Sequence, residues 1–310
     1  MTAPARAPLA PPGAAELRRG SAAVRVAIAP GAPIVSFFAD DTEWCAAGPW
    51  FDYAPTLNAC ALPSFVGGVP RAPFEDGGVL RAIEPDVSVR ADGAAGVISA
   101  QWPAAPYPVA WRRDVSLDAE GALVATYTVT SVHRARLPFV WGTQVALPWR
   151  SNVQIDVPRG TRSRVARSTG EGLAKAGSEF AWPALRDGGK LADLSRPATL
   201  EPRRSVQCYT ELPRGRLTLR LGDVSLEIAG DAPHVTHAHA VVDHDADRPG
   251  DAPRRWWRPR AARRVILAGV AAGAPGDLAE AVGAWRTARW IEPGETLHWS
   301  VRYRSVRATP

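Results

Sequence analysis

RLTLRLGDVSLEIAG, residues 216–230, decides the fold class. Leu217, Leu219 and Leu221 alternate with Thr218 and Arg220, which sends apolar and polar side chains to opposite faces of an extended chain. Gly222 and Asp223 interrupt the pattern with turn-forming residues, and Val224, Leu226 and Ile228 resume it. A period of two on both sides of a short turn predicts an antiparallel hairpin with one buried face.

The same pattern extends outward from this hairpin. In ALVATYTVT (122–130), Leu123, Ala125, Tyr127 and Val129 share one face, and Thr126, Thr128 and Thr130 the other. DAEG (118–121) supplies the turn, and PVAWRRDVSL (108–117) pairs ahead of it. Further strands are expected near 22–29, 34–39, 86–91, 96–102, 138–147, 205–212, 234–242, 263–271 and 297–306. DLAEAVGAW (277–285) alone reads as a helix, and a short one. Residues 158–203 are polar and glycine-rich, and read as a long excursion within one domain. No linker divides the strands. The expectation is an all-β chain, one large antiparallel sandwich over residues 21–306, behind an Ala/Pro-rich disordered leader at 1–20.

Composition narrows the classes of function. The net charge of +6 is carried by arginine, because Lys175 and Lys190 are the only lysines. RRWWRPRAARR (254–264) could stack on bases and grip phosphates, but no second basic run accompanies it, so nucleic acid is not an expected partner. No window approaches the ~18 consecutive apolar residues of a membrane span. The N-terminus lacks the continuous apolar segment of a secretory signal. Cys45, Cys60 and Cys208 are sparse, odd in number and spaced like neither a zinc ribbon nor a disulfide framework, which fits a reducing cytoplasm.

One stretch asks for chemistry. LPFVWGTQVALPW (137–149) is apolar except for Thr143 and the amide of Gln144. An unpaired buried amide costs roughly 1–3 kcal/mol, so Gln144 should have a task. After the 122–130 strand comes this stretch, and near the C-terminus comes GAPGDLAEAVGAWRTARWIEPGETLHWSVRYR. The order resembles the aldose 1-epimerase (galactose mutarotase-like) family. There a Y-x-V-x-N strand leads to P-F-x-W-x-x-H, and the chain ends in L-x-PGE-x-x-x-W-x-V-x-Y. Ile291, Pro293, Gly294, Glu295, Trp299, Val301 and Tyr303 match that ending. GPWFDYAPT (48–56) looks like the family's G-W-x-E-x-x-P-T segment, and FEDGGVLR (74–81) stands where L-P-D-H-G-x-x-W is expected. The resemblance runs from about residue 20 to 306. It implies a β-supersandwich and a sugar-sized groove on one sheet face.

Mutarotation opens and recloses a hemiacetal, so a base must take the anomeric hydroxyl proton while an acid protonates the ring oxygen. The resemblance assigns the acid to the histidine of P-F-x-W-x-x-H, the base to a glutamate in an E-P segment before the short helix, and sugar contacts to the histidine of D-H-G. This chain has Gln144 in place of the first, Gly269 near the second (with Val270 for the proline) and Gly77 for the third, keeping Asp76. No Asp or Glu occurs from 252 to 276, so a small shift of alignment does not restore the base. An amide hydrogen-bonds but does not titrate near neutrality.

HVTHAHAVVDHD (234–245) offers substitutes: His234, His237, His239, His244, Asp243 and Asp245. His237 and His239 share a strand face. Three readings stay open here: histidines satisfied locally, a replacement acid/base site with Asp76 or Asp52, or a metal site. The expected catalytic substitutes are Asp76, His237 and His239, with no metal and no cofactor. Gln144, Asp52, Arg112 and Trp141 are the expected ligand contacts. Arg112 and Arg113 must face opposite ways, so one could reach the groove. Trp50, Trp149 and Trp299 could stack on a sugar; Trp299 reads as core, and Glu295 as a turn residue. The functional expectation is an aldose 1-epimerase-like protein of carbohydrate metabolism, monomeric or weakly dimeric. It binds a small carbohydrate with reduced or altered catalysis. The alternatives are a non-catalytic carbohydrate-binding or regulatory protein, or a different reaction on a sugar-like ligand.

Overall fold

The computed structural model describes residues 13–46, 48, 50–53, 65–66, 69–70, 85–92, 95–104, 107–202, 204–231, 233–243, 264–275 and 278–308. Two large antiparallel sheets dominate it. The first has eight strands in the order Val153–Asp156, Arg216–Leu221, Val224–Gly230, Thr296–Arg307, Leu123–Ser131, Val109–Leu117, Ala95–Trp102 and Asp86–Asp92. The second has seven: Glu179–Ala181, Arg162–Thr169, Ser205–Glu211, His237–Asp243, Val265–Ala272, Trp141–Leu147 and Phe51–Tyr53. The hairpin expected at 216–230 forms with Leu217 opposite Ile228 and Leu219 opposite Leu226.

The core lies between these sheets. Val115, Leu123, Ala125, Leu219, Leu226, Ile228 and Val301 of the first meet Val145, Val165, Val206, Ala240, Val242, Ala268 and Val270 of the second in one continuous buried cluster. At roughly 25 cal/mol per Å² of apolar area, this interlayer contact is the dominant favourable term in folding. At one end Trp111, Tyr127, Phe139, Trp141 and Trp299 pack ring against ring, with Tyr127 stacked on Trp299 at 5.5 Å and edge-on to Trp141 at 4.5 Å. The PGE turn enters the last long strand there. Glu295 accepts the Glu292 N–H on its own carboxylate at 2.7 Å, and Gly294 takes φ +72°. Trp299 is core, as its alternation implies.

Three features differ from the expectations. Ala14–Arg19 falls inside the stretch assigned to a leader, yet it is a strand paired with Ala22–Ala27. Leu17 packs inward from it, and the Glu16 carboxylate meets the buried Arg25 at 2.7 Å. Its Ala-rich composition hid a period of two that carries only one large apolar residue. The 158–203 excursion contributes Arg162–Thr169 to the large sheet, where a bulge at Val165/Arg167 breaks the alternation that would have revealed it. The helix is Leu278–Val282, shorter than 277–285. No helix among the described residues is long and apolar enough to cross a membrane.

Candidate functional site

The face of the seven-stranded sheet turned away from the core carries the candidate site. Alternation places Trp141, Thr143, Val145 and Leu147 inward and Gly142, Gln144 and Ala146 outward. By the same parity Tyr209, Glu211, His237, His239, Gly269 and Ala271 face outward. Register joins Tyr209 to His239 and His239 to Gly269, and the next strand along carries Gln144. Gln144 and Gly269 are thus neighbours on one face, with His239 beside them.

The ladder between Trp141–Leu147 and Val265–Ala272 is regular at Trp141–Ala272, Gly142–Ala271 and Val145–Ala268, and is interrupted at 143–144 against 269–270. There the Thr143 carbonyl accepts a hydrogen bond from His239 Nε2 at 2.5 Å, and the Val270 N–H turns to Thr143 Oγ1 at 3.4 Å. A Cβ on residue 269 would lie 2.0 Å from the Thr143 oxygen and 2.8 Å from its carbon. No side chain fits there without moving the backbone. Position 269 is therefore closed by the chain's own peptide.

His239 is 1 % exposed and stacks at a tilt on Tyr209, 5.8 Å away. Since a carbonyl only accepts, its Nε2 must carry the proton in this contact. His237 sits differently. It lines a cleft with Arg162, Arg164, Glu179, Tyr209, Glu211, Trp285 and Thr287. Burial pushes its imidazole down to about 4. Thr236 Oγ1 accepts the Gly273 N–H at 3.3 Å and lies 2.8 Å from His237 Nδ1, so the hydroxyl proton is available to Nδ1. The depressed value leaves the ring uncharged near neutral pH.

The cleft's charges are matched internally. Arg162 bonds Glu179 at 2.6 Å and lies 3.5 Å from Glu211, and that hydrogen bond to Arg162 holds the Glu179 carboxyl below its usual range. Arg164 covers the Trp285 ring at 4.5 Å. Tyr209 packs with Ala166, Ala271 and Ala274 beneath Trp285 in a small apolar cluster separate from the main core. Sequence reasoning missed Arg162, Tyr209, Glu211 and Trp285. Only the alternation of SVQCYTE could have pointed to Tyr209 and Glu211; Trp285 follows the helix and joins them through tertiary packing alone.

Two expected ligand contacts lie elsewhere. Trp141 is fully buried against Tyr127 and Trp299, and offers no ring face to the groove. Arg112 is on the outer face of the eight-stranded sheet, bonded to Asp114 at 2.9 Å, so the whole core separates it from Gln144. Its neighbour Arg113 points into the core, where it donates to the Ala32 carbonyl and lies over Trp102. Asp52 belongs to the strand beside Gln144, with Asp52 opposite Thr143 and Phe51 opposite Gln144. His234 stacks on Trp299 at 5.9 Å, away from His237. Trp50 is core, and Trp149 lies under Arg264 at 5.7 Å. Asp76, Gly77, His244, Asp245, Cys60 and 254–263 of the Arg/Trp run lie outside the described residues. Among the described residues no group of three His, Cys, Asp or Glu is placed to hold a metal ion.

The two-sheet antiparallel sandwich has the galactose mutarotase-like fold, as its likeness to solved structures shows. Solved structures bear this out over nearly the full length of the chain. An Escherichia coli K12 protein provisionally assigned as an aldose 1-epimerase matches with a TM-score of 0.63 at 16% identity, covering 95% of this chain and 99% of that one. The GalM/aldose epimerase homologue from C. elegans matches at 0.62 and 10% identity, covering 96% and 99%. A galactose mutarotase-like protein from Lactobacillus casei matches at 0.58 and 15% identity, covering 95% and 100%. No family model matches the sequence, and no curated protein matches it. The fold is shared; the sequence has diverged far from these proteins.

Proposed function

We propose that this protein is an aldose 1-epimerase-like member of carbohydrate metabolism that binds a sugar or sugar-like ligand on the outer face of the seven-stranded sheet, with the ordinary mutarotase chemistry reduced or altered. The observation that carries this is the pairing of Gln144 with a closed position 269. Where mutarotation needs a proton donor and a proton acceptor, this face offers an amide and a glycine covered by a peptide carbonyl. Gln144 can still hydrogen-bond a ring oxygen or hydroxyl. Of the two strand histidines, His239 is committed to the Thr143 carbonyl, which leaves His237, at the cleft, as the one placed to meet a ligand. If proton transfer persists, His237 and Asp76 are its proposed carriers. The ligand is a small carbohydrate rather than nucleic acid, and no cofactor or metal takes part. A cytoplasmic setting is supported by the buried free thiols of Cys45 and Cys208.

The test follows α-to-β conversion of fresh glucose and galactose by polarimetry or NMR, beside calorimetric binding of the same sugars. Binding with no acceleration above buffer makes the protein a carbohydrate-binding or regulatory one. Acceleration lost in His237→Ala or Asp76→Asn makes it an enzyme with relocated groups. No binding of any sugar would defeat the proposal and favour a different ligand in the same groove.

A further inference from the structure

The interrupted ladder is a built arrangement of three residues on three strands. Gly269 removes the Cβ that would collide with the Thr143 oxygen at 2.0 Å. His239, directly opposite Gly269 in register, reaches across it to donate to that oxygen at 2.5 Å. Thr143 then uses its own hydroxyl, at 3.4 Å, to receive the Val270 N–H that its displaced carbonyl has left. Both His239 and Thr143 are buried, at 1 % and 3 % exposure, so an unmade bond here would be costly. The displaced peptide is the one that joins Thr143 to Gln144, so its orientation sets where the Gln144 side chain leaves the strand.

We propose that His239 is a positioning residue of the groove: with Gly269 it holds the Thr143–Gln144 peptide turned out of the ladder, and thereby aims the Gln144 amide and keeps a carboxylate from occupying position 269. His239 acts through the backbone and does not touch the ligand. The geometric half stands on the three contacts alone, and the ligand half rests on the proposed sugar groove. A consequence is that restoring the two family residues is not enough. Gln144→His with Gly269→Glu leaves the carbonyl in the glutamate's place.

The experiment is a coupling measurement in the full-length protein. Gly269→Ala should lower the melting temperature by several degrees in the native background. It should lower it much less in His239→Leu, where the carbonyl is free to return to the ladder. Equal losses in both backgrounds would overturn the proposal. ¹⁵N-histidine NMR of the unmutated protein gives a reading that no folding failure can spoil. A protonated Nε2 with a strongly downfield proton is expected at His239, and an unprotonated Nε2 would sink the idea. In the ligand arm, His239→Gln, which keeps an N–H donor, should retain sugar affinity and the Gln144 side-chain amide shift, while His239→Leu should weaken binding at least several-fold and move that shift. Leu and Gln variants binding alike would reject positioning. Should the native protein bind no sugar, the functional reading fails while the coupling and tautomer results still judge the geometry.

Discussion

Gln144 and Gly269 gain their meaning from a third residue that neither position hints at. Under the proposed function, a glutamine where the acid is expected leaves no proton donor, and a glycine where the base is expected leaves no acceptor. Here the glycine also makes room for the Thr143 carbonyl, which His239 contacts. Gln144→His alone is therefore expected to leave mutarotation at the buffer rate in a polarimetric assay. Any acceleration would mean the base lies elsewhere, with Glu211 in the His237 cleft the first place to look. Gly269→Ala is expected to cost about 1–3 kcal/mol or more in chemical denaturation, because the obstacle is backbone rather than a flexible side-chain end. Cys45 and Cys208 behave as small hydrophobes: burial pushes the Cys208 thiol up to about 12, so a soluble alkylating reagent should leave it unmodified in the native state.

At the scale of elements, strictly alternating strands were easier to read than small-residue or bulged ones. The hairpins at 108–131 and 216–230 were legible because both strands lie between neighbours and bury one whole face, which forces strict alternation. Ala14–Arg19 and Arg162–Thr169 were not, for opposite reasons. The first buries little besides Leu17, and the second has its period broken by a bulge. Deleting residues 1–19 distinguishes a strand from a leader. It removes the Glu16 partner of Arg25 and the hydrogen bond from Arg19 to the Leu117 carbonyl at 3.1 Å. Scanning calorimetry should show a melting temperature several degrees lower. An unchanged transition would restore the leader reading for the whole segment.

At the scale of the molecule, pH ties the site to stability. His237 has a folded value depressed to about 4, below the ordinary imidazole value, so the unfolded chain binds a proton more readily than the folded one. Its contribution is fully present above about pH 6.5 and is lost as pH falls through the window down to about 4. His234 is shifted the same way, by burial and then by the nearby Arg289 charge, partly offset by Asp231 and Glu295. Melting temperature should therefore decline between pH 6.5 and 4, and from about pH 4.5 downward the carboxylates paired with arginine, such as Glu16 and Glu179, add to the loss. His237→Gln should flatten that decline measurably, and an identical profile in the variant would show that His237 is not the buried neutral group described.

What the amino-acid order determined by itself was periodicity and identity. Alternation named the faces of the long strands, the motif order named the fold, and the resemblance put Gln144 and Gly269 where an acid and a base are expected. Those are local facts, carried by residues close together in the chain. Which residues share a surface was decided only by tertiary structure. Arg112 sits on the far side of the core, and Tyr209, His239, Gly269 and Gln144 come from four strands laid side by side. Strand order across the sheet follows from how two layers bury their apolar faces together, a non-local balance that no short stretch encodes. The role of His239 is its clearest product: a histidine read as a proton carrier becomes a support for the backbone once its neighbour two strands away is known.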